Sequence, residues 1–243
     1  MRYLILSDVH SNLAALEAVL AAAGAVDAVW CLGDTVGYGP EPNACVERIR
    51  ALPGLRCVAG NHDWGALGKL DLTLFNREAR LADEWTGRVL TSANRAWLAG
   101  LPERIETEDF TLVHGSPRFP IWEYVLDADT AHANMACFRT LTCLVGHSHV
   151  PLIFQEGGRH RTAVPVMPTP GEPFSYRAVR AIVNPGSVGQ PRDGDPRASY
   201  LLLDLEAATL EYRRVAYPVE DTQAHMRAVG LPERLAARLS YGL

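Results

Sequence analysis

Short apolar runs alternate with amphipathic stretches along the first 150 residues, and this alternation limits the fold more than any other feature of the chain. The runs have the length of buried strands, and they lie at residues 3–6, 28–32, 55–59, 110–113 and 141–145. Apolar residues at helical spacing predict helices between them, at residues 12–23, 42–52, 129–138 (capped by Asp129) and, as a pair, within 75–98. Strands that alternate with helices are typical of a βαβ core.

The sequence changes character after Val150, where four prolines crowd residues 165–173 and favour a loop or a sheet edge. A β-hairpin and two short helices are predicted beyond them, at residues 199–205, 209–216, 221–229 and 232–239. No long linker separates these elements from the rest. We therefore expect one domain over residues 1–243, in which the later strands form or complete a second sheet against the same core.

Composition and charge exclude several classes of protein. The chain has 243 residues, a formal net charge of −5, 48% hydrophobic and 21% charged residues, which is a globular and not a disordered composition. The acidic balance disfavours nucleic acid as a partner. The N-terminus lacks the apolar segment of a signal peptide, and charged residues interrupt the most apolar stretch, 13–32, so no membrane span is expected. Five cysteines without CxxC spacing favour reduced thiols and a cytoplasmic location.

An Asp, Asn or His follows each of the five predicted strands. In chain order these residues are Asp8 and His10, then Asp34, then Asn61, then His114, and finally His147 and His149. Ligands of α/β sheets bind just beyond the carboxyl ends of the strands. The sequence therefore predicts that these seven side chains converge on one cleft.

The seven side chains form a donor set for transition metals. Asp8 and His10 are two residues apart, so on an extended backbone both point to one side, about 6.6 Å apart along the strand. Two carboxylates, four imidazoles and one amide suit Mn²⁺, Fe, Zn²⁺, Co²⁺ or Ni²⁺ better than Ca²⁺, which prefers oxygen alone. Seven candidates exceed the three or four ligands that one zinc ion takes, whereas two metals that share one carboxylate would use all seven.

The ordered motifs DxH, GD, GNHD, a single His and GHxH resemble the calcineurin-like metallophosphoesterase superfamily. The segments SDVHSNLAAL, GDTVGYGPEPNACVERIR, GNHDW and NPGSVGQPRDGDPRASYLLLD resemble its small prokaryotic phosphodiesterase branch, from residue 5 to about residue 204. The resemblance implies an α/β fold, a four-layer α/β/β/α sandwich with two facing mixed sheets. Ser11 and Ser148 depart from the residues common in the family, and neither replaces a ligand.

The resemblance also implies a dinuclear metal centre and a role for each residue. One metal takes Asp8, His10 and His149, the other takes Asn61, His114 and His147, and Asp34 bridges them. The implied cofactors are two divalent transition-metal ions, Mn²⁺ first, and the implied nucleophile is a hydroxide that bridges them. His62 lies beside the substrate, where as imidazolium it protonates or stabilises the departing alkoxide.

Three residues near these motifs have two interpretations each. Asp63 either acts as a catalytic residue that orients His62 or caps the following helix. Arg192 either binds the substrate phosphate or is an ordinary loop arginine, solvated or paired with a neighbouring Asp. Tyr38 either lines the substrate pocket or packs a turn. Three further histidines lie outside the pattern and are expected at the surface or in structural roles: His132, His160 and His225.

A phosphodiesterase that acts on a small phosphoester is the leading functional hypothesis. A phosphomonoesterase or a protein-phosphatase-like enzyme is the nearest alternative, and a non-catalytic scaffold of the same fold that binds protein partners is the alternative from another class. Nucleic acid and membranes are not expected partners, and a homo-oligomer stays open.

The patterns of P-loops, of dinucleotide-binding loops and of serine-hydrolase elbows are all incomplete. Four aromatic residues are expected to pack in the core: Trp64, Phe75, Trp85 and Trp97.

Overall fold

The computed structural model describes residues 1–158 and 162–243, and over these residues the chain forms two six-stranded mixed sheets with helices on their outer faces. The strands are β1 (Arg2–Leu6), β2 (Ala28–Cys31), β3 (Arg56–Cys57), β4 (Arg104–Glu106), β5 (Phe110–Val113), β6 (Thr142–Leu144), β7 (Pro151–Gln155), β8 (Val164–Val166), β9 (Pro173–Ser175), β10 (Ala181–Pro185), β11 (Ala198–Asp204) and β12 (Thr209–Val215). The helices are α1 (Leu13–Ala23), α2 (Pro42–Arg50), α3 (Asn61–Ala66), α4 (Arg77–Val89), α5 (Ser92–Ala99), α6 (Ala128–Met135), α7 (Val219–Ala228) and α8 (Glu233–Arg238).

The first sheet has the strand order β3-β2-β1-β11-β12-β9. In this sheet β1 pairs in parallel with β2, with Leu4 in register with Val29. On its other side β1 pairs antiparallel with β11, with Leu4 in register with Leu202. The predicted hairpin is confirmed as β11 and β12, but its predicted place in a second sheet is wrong. The buried strand β1 needs hydrogen-bond partners along both edges, and the hairpin supplies the second of them.

The second sheet has the strand order β4-β5-β6-β10-β7-β8, and of these strands the sequence predicts β5 and β6. The others escape prediction because they are short or contain proline, which removes a backbone donor. Pro165 lies in β8 and Pro173 in β9. These two strands are the outer strands of the two sheets, so the predicted sheet edge in the proline-rich segment is confirmed.

Three apolar layers hold the elements together. Between the sheets, Leu32 after β2 and Leu112 of β5 belong to one buried cluster. On the outer face of the first sheet pack Leu16 of α1 and Ile49 of α2, and on the outer face of the second packs Met135 of α6. Strands covered on both faces are apolar along their whole length, which explains the continuous apolar runs. The result is the four-layer sandwich that the resemblance implies.

Local capping decides where the helices begin. The side chain of Asn12 accepts a backbone hydrogen bond at the start of α1. The predicted cap Asp129 of α6 is wrong, because Asp127 accepts hydrogen bonds from the N–H groups of Asp129 (3.0 Å) and Thr130 (2.8 Å). The predicted helix pair within residues 75–98 is confirmed as α4 and α5.

Among the described residues, no helix combines the length and the apolar character that crossing a membrane requires. All five cysteines are free thiols, and four of them are buried: Cys31, Cys45, Cys57 and Cys143.

Candidate metal centre

The polar residues that follow the strands meet at one end of the sandwich. They come from the carboxyl ends of β1, β2 and β3 in the first sheet and of β5 and β6 in the second. All seven predicted metal ligands are here, none more than 3% exposed: Asp8, His10, Asp34, Asn61, His114, His147 and His149. So many buried polar groups require partners that replace the water they have lost.

Asp8 and His10 lie on a left-handed turn and not on an extended strand, so their predicted backbone is wrong. The φ angle is +54° at Asp8 and +50° at His10. Their N–H groups donate to the carbonyls of Gly33 (3.1 Å) and Asp34 (2.9 Å), which ties the turn after β1 to the turn after β2. Three more of the seven have a positive φ angle: Asp34, His147 and His149. Such backbone is costly for residues other than glycine and concentrates at functional sites.

The first group consists of Asp8, His10 and His149. The Nδ1 atom of His10 donates to the carbonyl of Val36 (3.1 Å), and Nδ1 of His149 donates to the carbonyl of Gln190 (2.6 Å). The Nε2 atoms of the two rings face each other at 3.1 Å. With Nδ1 protonated in both neutral rings, two lone pairs point at one place, and a cation satisfies both.

The second group consists of Asp34, His114 and His147, whose donor atoms lie within 4.8 Å of one another. His114 donates from Nδ1 to the carbonyl of Leu32 (2.8 Å), and His147 donates from Nε2 to the carbonyl of Trp122 (3.1 Å). Each ring is therefore oriented by a backbone carbonyl and keeps its other nitrogen for the site. This carbonyl support is typical of metal-binding histidines.

Asn61, the first residue of α3, lies beside the second group. Its Oδ1 atom lies 3.0 Å from Nε2 of His114. The preceding Gly60 passes so close to Asp34 that a Cβ atom at position 60 would lie 2.1 Å from Oδ1 of Asp34. The glycine of GNHD is therefore required by this close approach.

Each carboxylate has one oxygen fixed by the backbone and one without a partner. Oδ2 of Asp8 accepts a hydrogen bond from the N–H of His147 (3.1 Å), and Oδ1 of Asp34 accepts one from the N–H of His62 (2.8 Å). Oδ1 of Asp8 and Oδ2 of Asp34 are buried without a hydrogen-bond partner among the described residues. Two carboxylate oxygens without partners, beside imidazole nitrogens that face the site, fit bound cations well.

The oxygen Oδ2 of Asp34 lies between the two groups. It is 3.2 Å from Nε2 of His114 in its own group and 3.6 Å from Nε2 of His10 in the other. The two groups are therefore adjacent parts of one centre.

Burial and mutual charge set the protonation of most of these ligands. Burial lowers the pKa values of three imidazoles, which are therefore neutral: His10, His147 and His149. Burial alone would raise the pKa values of Asp8 and Asp34, but the positive charge of His114, which acts on both carboxylates, helps to hold both below the usual range. Neutral imidazole and ionised carboxylate are the forms that bind metals.

His114 differs from the other histidines of the site. Burial lowers its pKa, but the charge of Asp34 outweighs burial and raises the pKa to about 9. A metal at Nε2 of His114 displaces this proton, so metal binding here is coupled to proton release.

His62 lies beside both groups, with its ring centre 5.0 Å from that of His10. Its Nδ1 atom donates to the carboxylate of Asp83 on α4, 2.9 Å from each oxygen. Burial alone would lower the pKa of His62, but the charges around the ring, that of Asp83 above all, raise it to about 10. The ring is therefore an imidazolium whose orientation a buried carboxylate fixes.

The carboxylate of Asp63 does not orient the ring of His62. Its oxygens accept hydrogen bonds from the N–H groups of Gly60 (2.9 Å) and Val36 (3.1 Å), which is the capping alternative. The residue that orients His62 is Asp83, and not Asp63. The sequence signal that could have indicated Asp83 is a single charged residue on the buried face of α4, whose other buried residues are Ala79, Ala82 and Thr86.

Known proteins with a similar sequence identify the family of this chain. Residues 1–208 match the calcineurin-like phosphoesterase superfamily domain. The chain belongs to this superfamily. An uncharacterized protein of Methanocaldococcus jannaschii is 38% identical over 248 residues, which cover 98% of this chain and 97% of that protein.

Two solved structures are similar to the whole chain. A metallophosphoesterase from Sphaerobacter thermophilus has a TM-score of 0.92 at 50% identity, over 100% of this chain and 99% of its own. A hypothetical protein from Pyrococcus horikoshii has a TM-score of 0.80 at 20% identity, over 100% of this chain and 98% of its own, a likeness of fold. Family membership supports a hydrolase of phosphoester bonds, and the two groups described above are its candidate metal sites.

Arg192 lies at the edge of the metallophosphoesterase site. Its guanidinium is 5.6 Å from the ring centre of Tyr38, and it donates to Oε1 of Gln190 (2.8 Å). The neighbouring Asp193 and Asp195 form their ion pairs with other arginines. The interpretation of Arg192 as the partner of an adjacent Asp is therefore wrong.

Tyr38 lies beside the candidate metal centre and is buried. Its ring centre is 4.3 Å from that of His62 and 4.7 Å from that of His10, so it borders the site. It also packs in a buried cluster with residues of α4, α7 and α8.

Two aromatic residues of the loop between β5 and α6 border the site without being predicted. The carbonyl of Trp122 orients His147, and the ring of Tyr124 stacks on His147 with 3.8 Å between ring centres and 15° between planes. No local pattern marks these residues, because their contacts depend on how the loop folds back.

Two of the three histidines outside the motifs are described, and neither belongs to the metal groups. His132 lies on α6 and His225 on α7, where Nδ1 of His225 is 3.7 Å from Oε1 of Glu41. His160 lies outside the described residues.

Proposed function

We propose that this chain hydrolyses phosphodiesters of small molecules, with two divalent transition-metal ions in the site, Mn²⁺ before Fe, Zn²⁺, Ni²⁺ or Co²⁺. The observation that carries the proposal is Oδ2 of Asp34, which is buried without a hydrogen-bond partner among the described residues, 3.6 Å from His10 Nε2 and 3.2 Å from His114 Nε2. A carboxylate oxygen between imidazoles of two groups suits a bridge between two cations.

The proposed ligand sets follow the two groups. Asp8, His10 and His149 hold one ion, Asn61, His114 and His147 hold the other, and Asp34 belongs to both. Two such ions lower the pKa of a shared water and neutralise phosphate oxygens. Mn²⁺ comes first because oxygen and imidazole donors without a thiolate suit it.

His62 is the proposed catalytic residue of the chain itself. The Asp83 carboxylate at 2.9 Å fixes the ring through Nδ1 and maintains its positive charge. The other ring nitrogen is then a donor for the departing alkoxide, whose charge the imidazolium also stabilises. Asp83 acts through His62, and so it is a positioning residue.

Arg192 and Tyr38 are the proposed substrate-binding residues. We expect Arg192→Met to raise KM about 10- to 100-fold with little change in kcat, because a charge-assisted hydrogen bond to phosphate contributes about 1.5–3 kcal/mol. Steady-state kinetics on a phosphodiester measures this. Arg139→Met, at the exposed start of the loop before β6, is the matched control and should behave like the parent. A variant at position 192 with unchanged KM would exclude Arg192 from phosphate binding.

The preference for diesters rests on the resemblance of the long motifs to the phosphodiesterase branch. The test compares bis(p-nitrophenyl) phosphate with p-nitrophenyl phosphate on metal-stripped protein, before and after Mn²⁺ is added. We expect no cleavage without metal and a higher kcat/KM for the diester with it. A higher kcat/KM for the monoester would retain the enzyme and reject the diester preference. A folded protein inactive with all five metals would reject the enzyme and favour the scaffold that binds proteins.

The proposed location is the cytoplasm. All five cysteines are free thiols, the form that a reducing compartment maintains.

A further inference from the structure

Large apolar side chains are exposed on two segments that flank the site. Among the described residues of segments 72–75 and 116–126, five of them are between 37% and 64% exposed: Leu74, Phe119, Trp122, Tyr124 and Leu126. Exposed apolar side chains that cluster beside a cleft mark a binding surface. The proposed hydrolysis, which needs a phosphate near the metals, leaves this surface without a function.

Four aromatic rings lie against His62 or His147, and we name them the aromatic collar: Tyr38, Phe75, Trp122 and Tyr124. Phe75 lies 5.1 Å from His62 and 5.0 Å from Trp122, measured between ring centres. Trp122 lies 6.1 Å from His147, on which Tyr124 stacks. The collar thus runs from His62 on one side of the site to His147 on the other.

Arg192 adds a positive charge to the collar beside Tyr38. Its guanidinium lies over the ring of Tyr38, 5.6 Å from the ring centre. A ring of aromatic faces with one arginine is complementary to a small anion that carries an apolar, flat group.

The collar has two sides with different neighbours. Tyr38 and Phe75 contact His62, which serves the leaving group in the proposed reaction. Trp122 and Tyr124 contact His147 instead, and they are 37% and 46% exposed. With the leaving group at His62, the side of Trp122 and Tyr124 is the one left for the ester group that stays on phosphorus.

We propose that the aromatic collar makes the enzyme selective for phosphodiesters whose retained ester group carries a flat aromatic ring, such as a nucleobase, which stacks on Trp122 and Tyr124. This proposal rests on the proposed phosphodiesterase function. It commits the exposed aromatic surface to the substrate and not to a second copy of the chain.

The test uses three p-nitrophenyl phosphodiesters on the Mn²⁺-loaded full chain. They share the leaving group and differ in the retained group, which is methyl, phenyl or 5′-thymidyl. Stacking on an aromatic side chain lowers KM for the phenyl and thymidyl esters about ten-fold or more relative to the methyl ester. A thymidyl ester with the lowest KM identifies a nucleobase site, and equal values for both aromatic esters identify a general aryl site.

Substitutions in the loop between β5 and α6 assign the effect to the collar. Trp122→Ala keeps the backbone carbonyl that orients His147. It should raise KM for the aromatic esters to near the value of the methyl ester and change KM for the methyl ester much less. Trp122→Leu keeps an apolar side chain without a flat face and should give the same loss. Phe119→Ala is the matched control, since Phe119 is 57% exposed in the same loop and packs under Arg118 outside the collar.

Three results would overturn the proposal. The first is an equal KM for the three esters in the parent chain, which leaves the phosphodiesterase function intact. The second is an equal effect of Trp122→Ala on all three esters. The third is a change from dimer to monomer on size exclusion of Trp122→Ala with unchanged kinetics, which would assign the collar to self-association. Absence of hydrolysis of every ester with every divalent metal would instead refute the proposed function itself.

Discussion

Asp34→Asn should remove both metal ions from the chain and, with them, nearly all hydrolysis. The asparagine oxygen can keep the hydrogen bond from the N–H of His62 that Oδ1 of Asp34 now accepts at 2.8 Å. The amide then points an N–H₂ group, which cannot bind a metal, to the place of Oδ2 between His10 and His114. Because metals supply several kcal/mol of transition-state stabilisation, kcat/KM should fall about a thousand-fold or more.

Metal analysis of the purified variant is the deciding measurement. We expect about two metal ions per parent chain and fewer than one per variant chain. Asp129→Asn makes the same chemical change at an exposed position of α6 and should keep the parent's metal content and activity. Circular dichroism of the metal-free proteins shows whether the variant is folded. Retention of two ions by a folded Asp34→Asn variant would reject the bridge.

The ligand set can be predicted from the sequence because it depends on strand ends. A short apolar run fixes where a strand stops, and the parallel arrangement brings the following residues to one place, as for Asp34 and His114. The local backbone conformation of the ligands cannot be predicted from the sequence. The positive φ angles at Asp8 and His10 come from hydrogen bonds to the turn after β2, a contact between segments distant in the chain.

The remaining site residues could not be predicted because their contacts are tertiary. Asp83 reaches His62 only because α4 packs across α3, and Trp122 reaches His147 only because its loop folds back. The same limit applies to the sheets. The apolar pattern of β11 predicts a strand, but it does not distinguish a place beside β1 from a place in the other sheet.

His62→Ala should lower kcat and leave the metal content unchanged, because His62 contacts the ligands without belonging to either metal group. A general acid contributes about 10²- to 10⁴-fold, and its contribution grows with the basicity of the leaving group. The loss should therefore be large for an alkyl phosphodiester and much smaller for a p-nitrophenyl diester, whose phenolate departs without a proton. An equal loss for both esters would reject proton donation by His62.

Asp83→Asn should produce the same dependence on the leaving group at a smaller size, about 10- to 100-fold for the alkyl ester. The amide keeps the shape of the side chain but removes the charge that lies 2.9 Å from Nδ1 of His62. If Asp83 acts through His62, the double variant should be no slower than His62→Ala alone, because the two residues form one unit.

Glu84→Gln, in the exposed pair with Arg80 on the same helix, is the matched control and should have no effect. A loss in Asp83→Asn that is independent of the leaving group, or that adds fully to the loss in His62→Ala, would reduce Asp83 to a structural residue of α4.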